Sequence, residues 1–413
     1  MSRFRATLSL VLLATGLVLA QDWPQFLGPD RDGHYAGSAL DIDWDGDGPP
    51  EVWRRPVGAG FAGPVVVEGQ LILFHRIDDR EVVEAIDVST GETVWRYDYL
   101  TTYRDDFGFD EGPRSAPVVV EEQVFTFGAQ GQLHALSLET GDVVWNVDTK
   151  AEFNFRKGFF GATGSPLVAG GHVIANVGGA NAGVVAFDTE TGAIAWTALD
   201  DDASYSSGVS ANFGGQTHAV FFTRSYLVGL DPADGTVRFS RPWRSRLRAS
   251  VNAATPLVVD DLIFVSATYG TGAGLFRVNG GELSEIWVSN EVMSNHYSTS
   301  VYHDGHLYGF HGRQEYSPSL RAVELRTGTV NWDIPSYGAG TVTLAGDHLV
   351  IVRESGELVV AQVSPEAFTV LATAQVLPSV VRAYPALANG RIYIRNENTL
   401  ICLDLSGQRS GDN

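Results

Sequence analysis

One cysteine, two lysines and two methionines stand among 413 residues. The lone Cys402 has no intramolecular partner, so this chain cannot use disulfides and must be held together by burial. Apart from Lys150 and Lys157 every basic side chain is an arginine. Planar guanidinium groups suit carboxylate or phosphate recognition, although a general preference for arginine in the composition reads the same way. Basic charge is itself scarce: 49 acidic residues against 28 basic ones leave a net charge of −21. That balance argues against nucleic acid and against an anionic membrane surface, and favours solubility. Long apolar runs are absent except for one, Leu8 to Leu19, which follows Arg3 and Arg5. It is too short for a typical spanning helix and reads as a secretory signal over residues 1–20, cleaved after Ala20. Gln21 follows where a lipoprotein would need cysteine, so no membrane anchor is expected. No H-E-x-x-H, G-x-S-x-G, Walker A or helix-opening G-x-G-x-x-G is present, which removes the simplest readings as a zinc protease, a serine hydrolase or a nucleotide-binding enzyme.

What is abundant is a repeat. AIDVSTGETVW (Ala85 to Trp95) returns as ALSLETGDVVW (Ala135 to Trp145) and AFDTETGAIAW (Ala186 to Trp196). Eroded copies are GLDPADGTVRF (Gly229 to Phe239) and AVELRTGTVNW (Ala322 to Trp332), and CLDLSG closes the series at Cys402 to Gly407. A period of roughly 40 to 50 residues built on alternating strand signals belongs to propellers and related arrays. Four short strands per unit are readable in 63–99, 116–149, 165–200, 207–243, 255–290, 299–336 and 340–377, but only three in 384–407. Val52, Trp53 and Arg54 supply the missing strand. The expected fold is therefore all-β, an eight-bladed β-propeller of four-stranded antiparallel blades with the last blade closed by an N-terminal strand. The aspartates at 87, 188, 231 and 404 can accept bonds from the turn that follows them. The glycines at 91, 141, 192, 235 and 328 permit a positive φ, and the tryptophans fill the wedge between blades. The motif is read as structural.

Residues 21–50 form an extension ahead of the propeller at 51–407, and 408–413 form a tail. Within the extension, WPQFLGPDRDG (Trp23 to Gly33) has no period and reads as an ordered segment lying on the body. DIDWDGDGPPE (Asp41 to Glu51) begins like an EF-hand loop, with Asp41, Asp43 and Asp45 at alternate positions and Gly46 at the turn. Its twelfth position is Val52, with Glu51 one residue early. Asp41, Asp43, Asp45 and Glu51 are the candidate Ca2+ ligands, against the alternative of a solvated acidic turn.

The recurring A-x-D-x-x-T-G-x-x-x-W resembles the PQQ-like repeat of eight-bladed propellers, the family of BamB-type assembly factors and quinoprotein alcohol dehydrogenases. The W-P-x-F-x-G-P opening is similar to that of secreted bacterial members of the group. The resemblance covers Glu51 to Gly407. It implies a periplasmic or secreted protein, and either a scaffold or an oxidoreductase using PQQ with Ca2+. Dehydrogenases of the type carry adjacent cysteines beside the quinone, which this chain lacks; that departure counts against a bound PQQ, while the repeat itself serves enzymes and binding scaffolds alike.

Any site is expected at the channel mouth, on connections leading from the outer strand of one blade to the inner strand of the next. Candidates there are Arg104, Asp106, Asp110, Arg114, Lys157, Tyr205, Arg248, Asn252, His296, Tyr297, Arg313, Arg382 and Tyr384. Arg/Asp neighbours such as Arg104 and Asp106 also suit simple loop ordering. Arginines converging from different blades would instead make an anion or polar-ligand pocket. His303 and His306 flank the Asp304-Gly305 turn as ordinary cross-strand neighbours. The leading expectation is a monomeric, exported binding or scaffold module for a protein partner or a small polar or anionic ligand. The alternative is an extracytoplasmic enzyme of quinoprotein type.

Overall fold

The computed structural model describes residues 21–44, 48–155 and 157–407. The signal segment, Asp45, Arg156 and the tail at 408–413 lie outside the described residues. Eight sheets, each with four antiparallel strands, follow one another around a central axis, and in seven of them those four strands run from inner to outer in sequence order. In blade one these are Val65–Val67, Gln70–Ile77, Arg80–Asp87 and Thr93–Leu100. The eighth blade takes its inner three strands from Ala386–Ala388, Arg391–Arg395 and Thr399–Asp404, and its outer strand from Glu51–Pro56. Trp53 there faces Cys402 across the ladder. The two ends of the ring are thus joined by backbone hydrogen bonds, which leaves no open edge at the junction.

The repeated motif interlocks neighbouring blades. Asp87 accepts the Ser89 and Thr90 N–H groups, both at 2.9 Å, and Asp188, Asp231 and Asp404 cap their turns in the same way. The turn glycine does more than adopt a positive φ. At Gly141 (φ +74°) an added Cβ would lie 2.4 Å from the Trp95 ring of the preceding blade, and at Gly91, Gly192 and Gly235 it would lie 2.8, 2.7 and 2.5 Å from Trp53, Trp145 and Trp196. Each of those indoles also donates to a carbonyl of the next blade, as Trp95 does to Leu138 at 2.8 Å and Trp145 to Thr189 at 2.8 Å. Trp287 repeats the arrangement with Leu325. A register shift sits beside the motif in each case, for example between Ala85 and Ile86, which re-aims the large ring into the seam. The hydrophobic core is accordingly a ring of inter-blade seams, such as Phe125, Trp145 and Phe187 between blades two and three.

The strands alternate direction, so the motif turns all open on one face. The opposite face carries the inter-blade connections and the turns between second and third strands. Prolines at 64, 117, 166, 256 and 385 stand one residue ahead of five of the eight inner strands, where the missing N–H interrupts no ladder. The N-terminal extension is not merely laid on the body. It pairs with the inner strand of blade one through Trp23 and Val66, and His34–Tyr35 runs parallel to Gly340–Ala345 in blade seven.

Candidate functional site

On the connection face the channel opens into a concave cavity of about 180 Å3. Its walls come from all sides of the ring: Phe61, Phe109, Arg114, Phe160, Tyr205, Val251, His296, Tyr297 and Arg382, with Phe26 and Tyr384 also lining it. The lining is mainly aromatic, with a few placed polar groups, the usual make-up of a small-ligand site.

Arg114 is mostly buried and pairs with Asp105 at 2.6 Å. Its guanidinium lies over the rings of Phe61 and Phe160, 5.4 and 5.0 Å from their centroids. Arg382 approaches Phe61 from another blade, also at 5.4 Å, and stands 5.5 Å from Phe109. Its Nε donates to Glu354 Oε1 at 2.9 Å, while the same oxygen accepts the Tyr297 hydroxyl at 2.7 Å. The two terminal nitrogens of Arg382 have no hydrogen-bond partner among the described residues, so this planar group faces the cavity with donors to spare. Burial raises the Tyr297 hydroxyl well above its ordinary range, and the adjacent Glu354 charge adds to the effect. Tyr297 therefore stays a neutral donor.

His296 contacts the Tyr269 hydroxyl at 2.7 Å. Burial lowers its pKa to about 4, so the imidazole is neutral at ordinary pH. Tyr269 is pushed up to about 12, again chiefly by burial. Tyr205 turns its oxygen to the Phe159 N–H at 2.7 Å and holds that wall in place. Among the described lining residues, positive charge in the cavity is carried by Arg114 and Arg382 and there is no carboxylate.

The remaining sequence candidates lie elsewhere. Arg104 pairs with Glu111 at 3.0 Å and Lys157 with Asp106 at 2.6 Å, both exposed, so these order the loop at 101–114. Asp110 is buried and caps the N–H groups of Gly60 and Gly112. Asn252 is buried as well and donates to the carbonyls of Thr223, Arg224 and Trp243, which fixes the connection between blades four and five. Arg313 pairs with Glu315 at 2.7 Å and covers Tyr269 at 4.6 Å, behind the His296 wall. The Arg248 side chain is exposed and has no hydrogen bond or ion pair among the described residues, while its carbonyl accepts Arg224. Among the calcium candidates, Glu51 is engaged by Arg54 at 2.7 Å and Asp41 accepts the Asp43 N–H. Asp45 lies outside the described residues.

Sequence reasoning missed Phe26, Phe61 and the small residues Thr163, Ser165, Ser207 and Ala253 of the lining. The hydroxyls carried a signal. Ser165 and Ser207 each stand at a blade entrance, and Ala116 N–H donates to Ser165 Oγ just as Ser165 N–H donates to Ser207 Oγ, both at 2.9 Å.

Residues 79–334 match the family described as outer membrane protein assembly factor BamB. A quinohemoprotein alcohol dehydrogenase of Pseudomonas putida is 32% identical over 140 residues, covering 33% of this chain and 19% of that protein. BamB of Shewanella oneidensis is 30% identical over 157 residues, 36% of each chain. The alignments therefore span about a fifth to a third of these curated relatives. Among solved structures, BamB from Moraxella catarrhalis superposes with a TM-score of 0.62 at 15% identity, covering 87% of this chain and 98% of that one. Quinohemoprotein alcohol dehydrogenase from Comamonas testosteroni gives 0.64 at 15% identity, covering 95% and 82%. At such identities the likeness establishes the shared propeller fold.

Proposed function

The chain belongs to the BamB family of PQQ-like propellers, and from that premise we propose that it is an exported binding module, periplasmic or secreted. It takes a compact ligand with a flat apolar body and an anionic edge into the channel mouth. The observation that carries this reading is the convergence of Arg114 and Arg382 on Phe61 in a cavity walled by aromatic rings. An apolar body gains burial against Phe109 and Phe160, and a carboxylate gains charge-assisted bonds from the uncommitted nitrogens of Arg382. Neutral His296 and Tyr297 add polarity without opposing an anion. A free aromatic acid carries this chemistry, and so does an acidic or C-terminal residue of a partner protein.

The quinoprotein alternative has less support from the residues. Among the described residues no three His, Cys, Asp or Glu side chains come together as metal ligands. Cys402 is buried in blade eight, and burial pushes its thiol up to about 12. This donor set does not fit a calcium-held quinone beside paired cysteines.

Calorimetric titration with 2-naphthoate and with its neutral amide tests the binding reading. The acid is expected to bind about tenfold or more tightly than the amide, and Arg382→Ala to remove that preference. Equal binding of acid and amide, or no binding of the acid at millimolar concentration, would overturn it.

A further inference from the structure

The leader motif WPQFLGPDRDG is unexplained by the repeat and by the binding reading alike. In the structure it crosses the channel. Trp23 and Val66 exchange backbone hydrogen bonds of 2.8 and 2.9 Å in blade one, and Val119 N–H of blade two donates to Pro24 at 2.8 Å. Arg31 then reaches the far side of the ring, donating to the Gly208 carbonyl at 2.8 Å and to that of Pro166, at the entrances of blades four and three. Leu344 N–H of blade seven donates to Gly33 at 2.8 Å, and Gly390 N–H of blade eight donates to the Tyr35 hydroxyl at 2.8 Å. A segment tied to six blades is a fixed part of the ring.

Its side chains face two different spaces. The Phe26 ring packs edge-on against Tyr384, centroids 5.0 Å apart, and lines the mouth cavity. Gln25 and the turn from Pro29 to Asp32 line a separate polar cavity of about 530 Å3, whose other walls are inner-strand residues of blades three to five. The leader is thus the septum between them. The turn that presents Phe26 is closely built: Leu27 has φ +63°, and a Cβ at Gly28 would strike the Trp23 ring at 2.9 Å.

We infer that the leader is a built-in stopper that turns the propeller channel into a blind pocket, and that Phe26 sets the depth of that pocket and hence the size of what it accepts. The inference concerns pocket depth and stands apart from the ligand class proposed above. Without the Phe26 ring, the mouth cavity extends toward the leader backbone and admits longer rigid bodies, while small ones enter as before.

The test uses thiol chemistry, so that it does not depend on the ligand. Cys402 is buried and is expected to stay unlabelled, which the parent protein checks. Ala253→Cys places a thiol on the cavity wall, to be modified with methyl methanethiosulfonate and with a rigid reagent longer than a naphthyl group, p-terphenyl methanethiosulfonate. Adding Phe26→Ala is expected to raise the terphenyl rate about tenfold while leaving the methyl rate within about twofold. Phe26→Leu should fall between the two and keeps the test open if the alanine variant does not fold. An unchanged ratio of the two rates would overturn the inference, as would an equal acceleration of both reagents. Binding of 2-naphthoate by the parent protein plays no part in either outcome.

Discussion

Two guanidinium groups from different blades, Arg114 and Arg382, approach the ring of Phe61, each 5.4 Å from its centroid. The two are not equivalent. Asp105 takes a terminal nitrogen of Arg114, whereas Glu354 takes only the Nε of Arg382. Glu354 therefore opposes an incoming anion while it orients the group that would bind it. Replacing the carboxylate by an amide keeps an oxygen for Arg382 and Tyr297 but removes the competing charge. Glu354→Gln is expected to tighten 2-naphthoate binding about three- to tenfold, with the neutral amide ligand little affected. Titration of both ligands against the variant checks this.

Tyr384 joins blades that are not neighbours. Its oxygen accepts the Thr299 N–H of blade six at 2.5 Å and contacts Ser298 Oγ at 3.3 Å, although the residue belongs to the entrance of blade eight. Tyr384→Phe leaves the buried Thr299 donor without a partner. It is expected to cost about 1–3 kcal/mol of stability, measurable by denaturant unfolding, because an orphaned buried N–H loses its solvation without compensation.

A glycine of the motif and one of the turn between Leu167–Ala169 and His172–Ala175 separate two effects that are usually confounded. Gly141 and Gly171 have nearly the same backbone, φ +74° and +79°. A Cβ at Gly141 would lie 2.4 Å from Trp95, while one at Gly171 meets nothing within 4 Å. Gly171→Ala is expected to cost about 1 kcal/mol through the left-handed conformation alone. Gly141→Ala carries that cost plus displacement of a seam-filling indole, about 2–4 kcal/mol in all. Equal melting temperatures for the two variants would show that the seam yields freely.

Much of the fold was legible because the information repeats. The Asp, Gly and Trp of each copy fix one turn and one seam, and counting strands located the gap that Glu51–Pro56 fills. The site was less legible. Arg114, His296 and Arg382 carry charge or polarity and stood out in their loops, but Asn252, of the same residue class, proved to bind only backbone carbonyls. Phe26 and Phe61 were missed because an isolated phenylalanine gives no sign of where the ring will lie. Their positions follow from where the leader crosses the channel, a long-range relation written in hydrogen bonds of Trp23, Arg31 and Gly33 rather than in any local pattern.

Two buried histidines give stability a pH dependence of definite sign. His134 is packed against Tyr97 and Tyr99, ring centroids 5.3 and 4.5 Å away, and burial lowers its pKa to about 4. His75 accepts the Gly58 N–H at 2.8 Å and is lowered to about 3, first by burial and then by the positive charges of Arg395, Arg96 and Arg55. Both folded values lie below the unfolded value near 6.5. The unfolded chain therefore takes up the protons first as the solution is acidified. The stability that these groups confer is complete above about pH 6.5 and is lost progressively down to about pH 4 for His134 and about pH 3 for His75. Buried Glu81 works in the opposite direction, since desolvation raises its pKa and the folded state takes up its proton first. The two contributions are separable by substitution. His134→Gln removes a titrating group from the seam while keeping a polar side chain there. Its unfolding free energy is expected to fall less steeply than that of the parent between pH 6.5 and 4, by up to about 3 kcal/mol across the window. Urea unfolding at half-unit pH steps measures the difference, and parallel curves for parent and variant would show that His134 takes up its proton equally in both states.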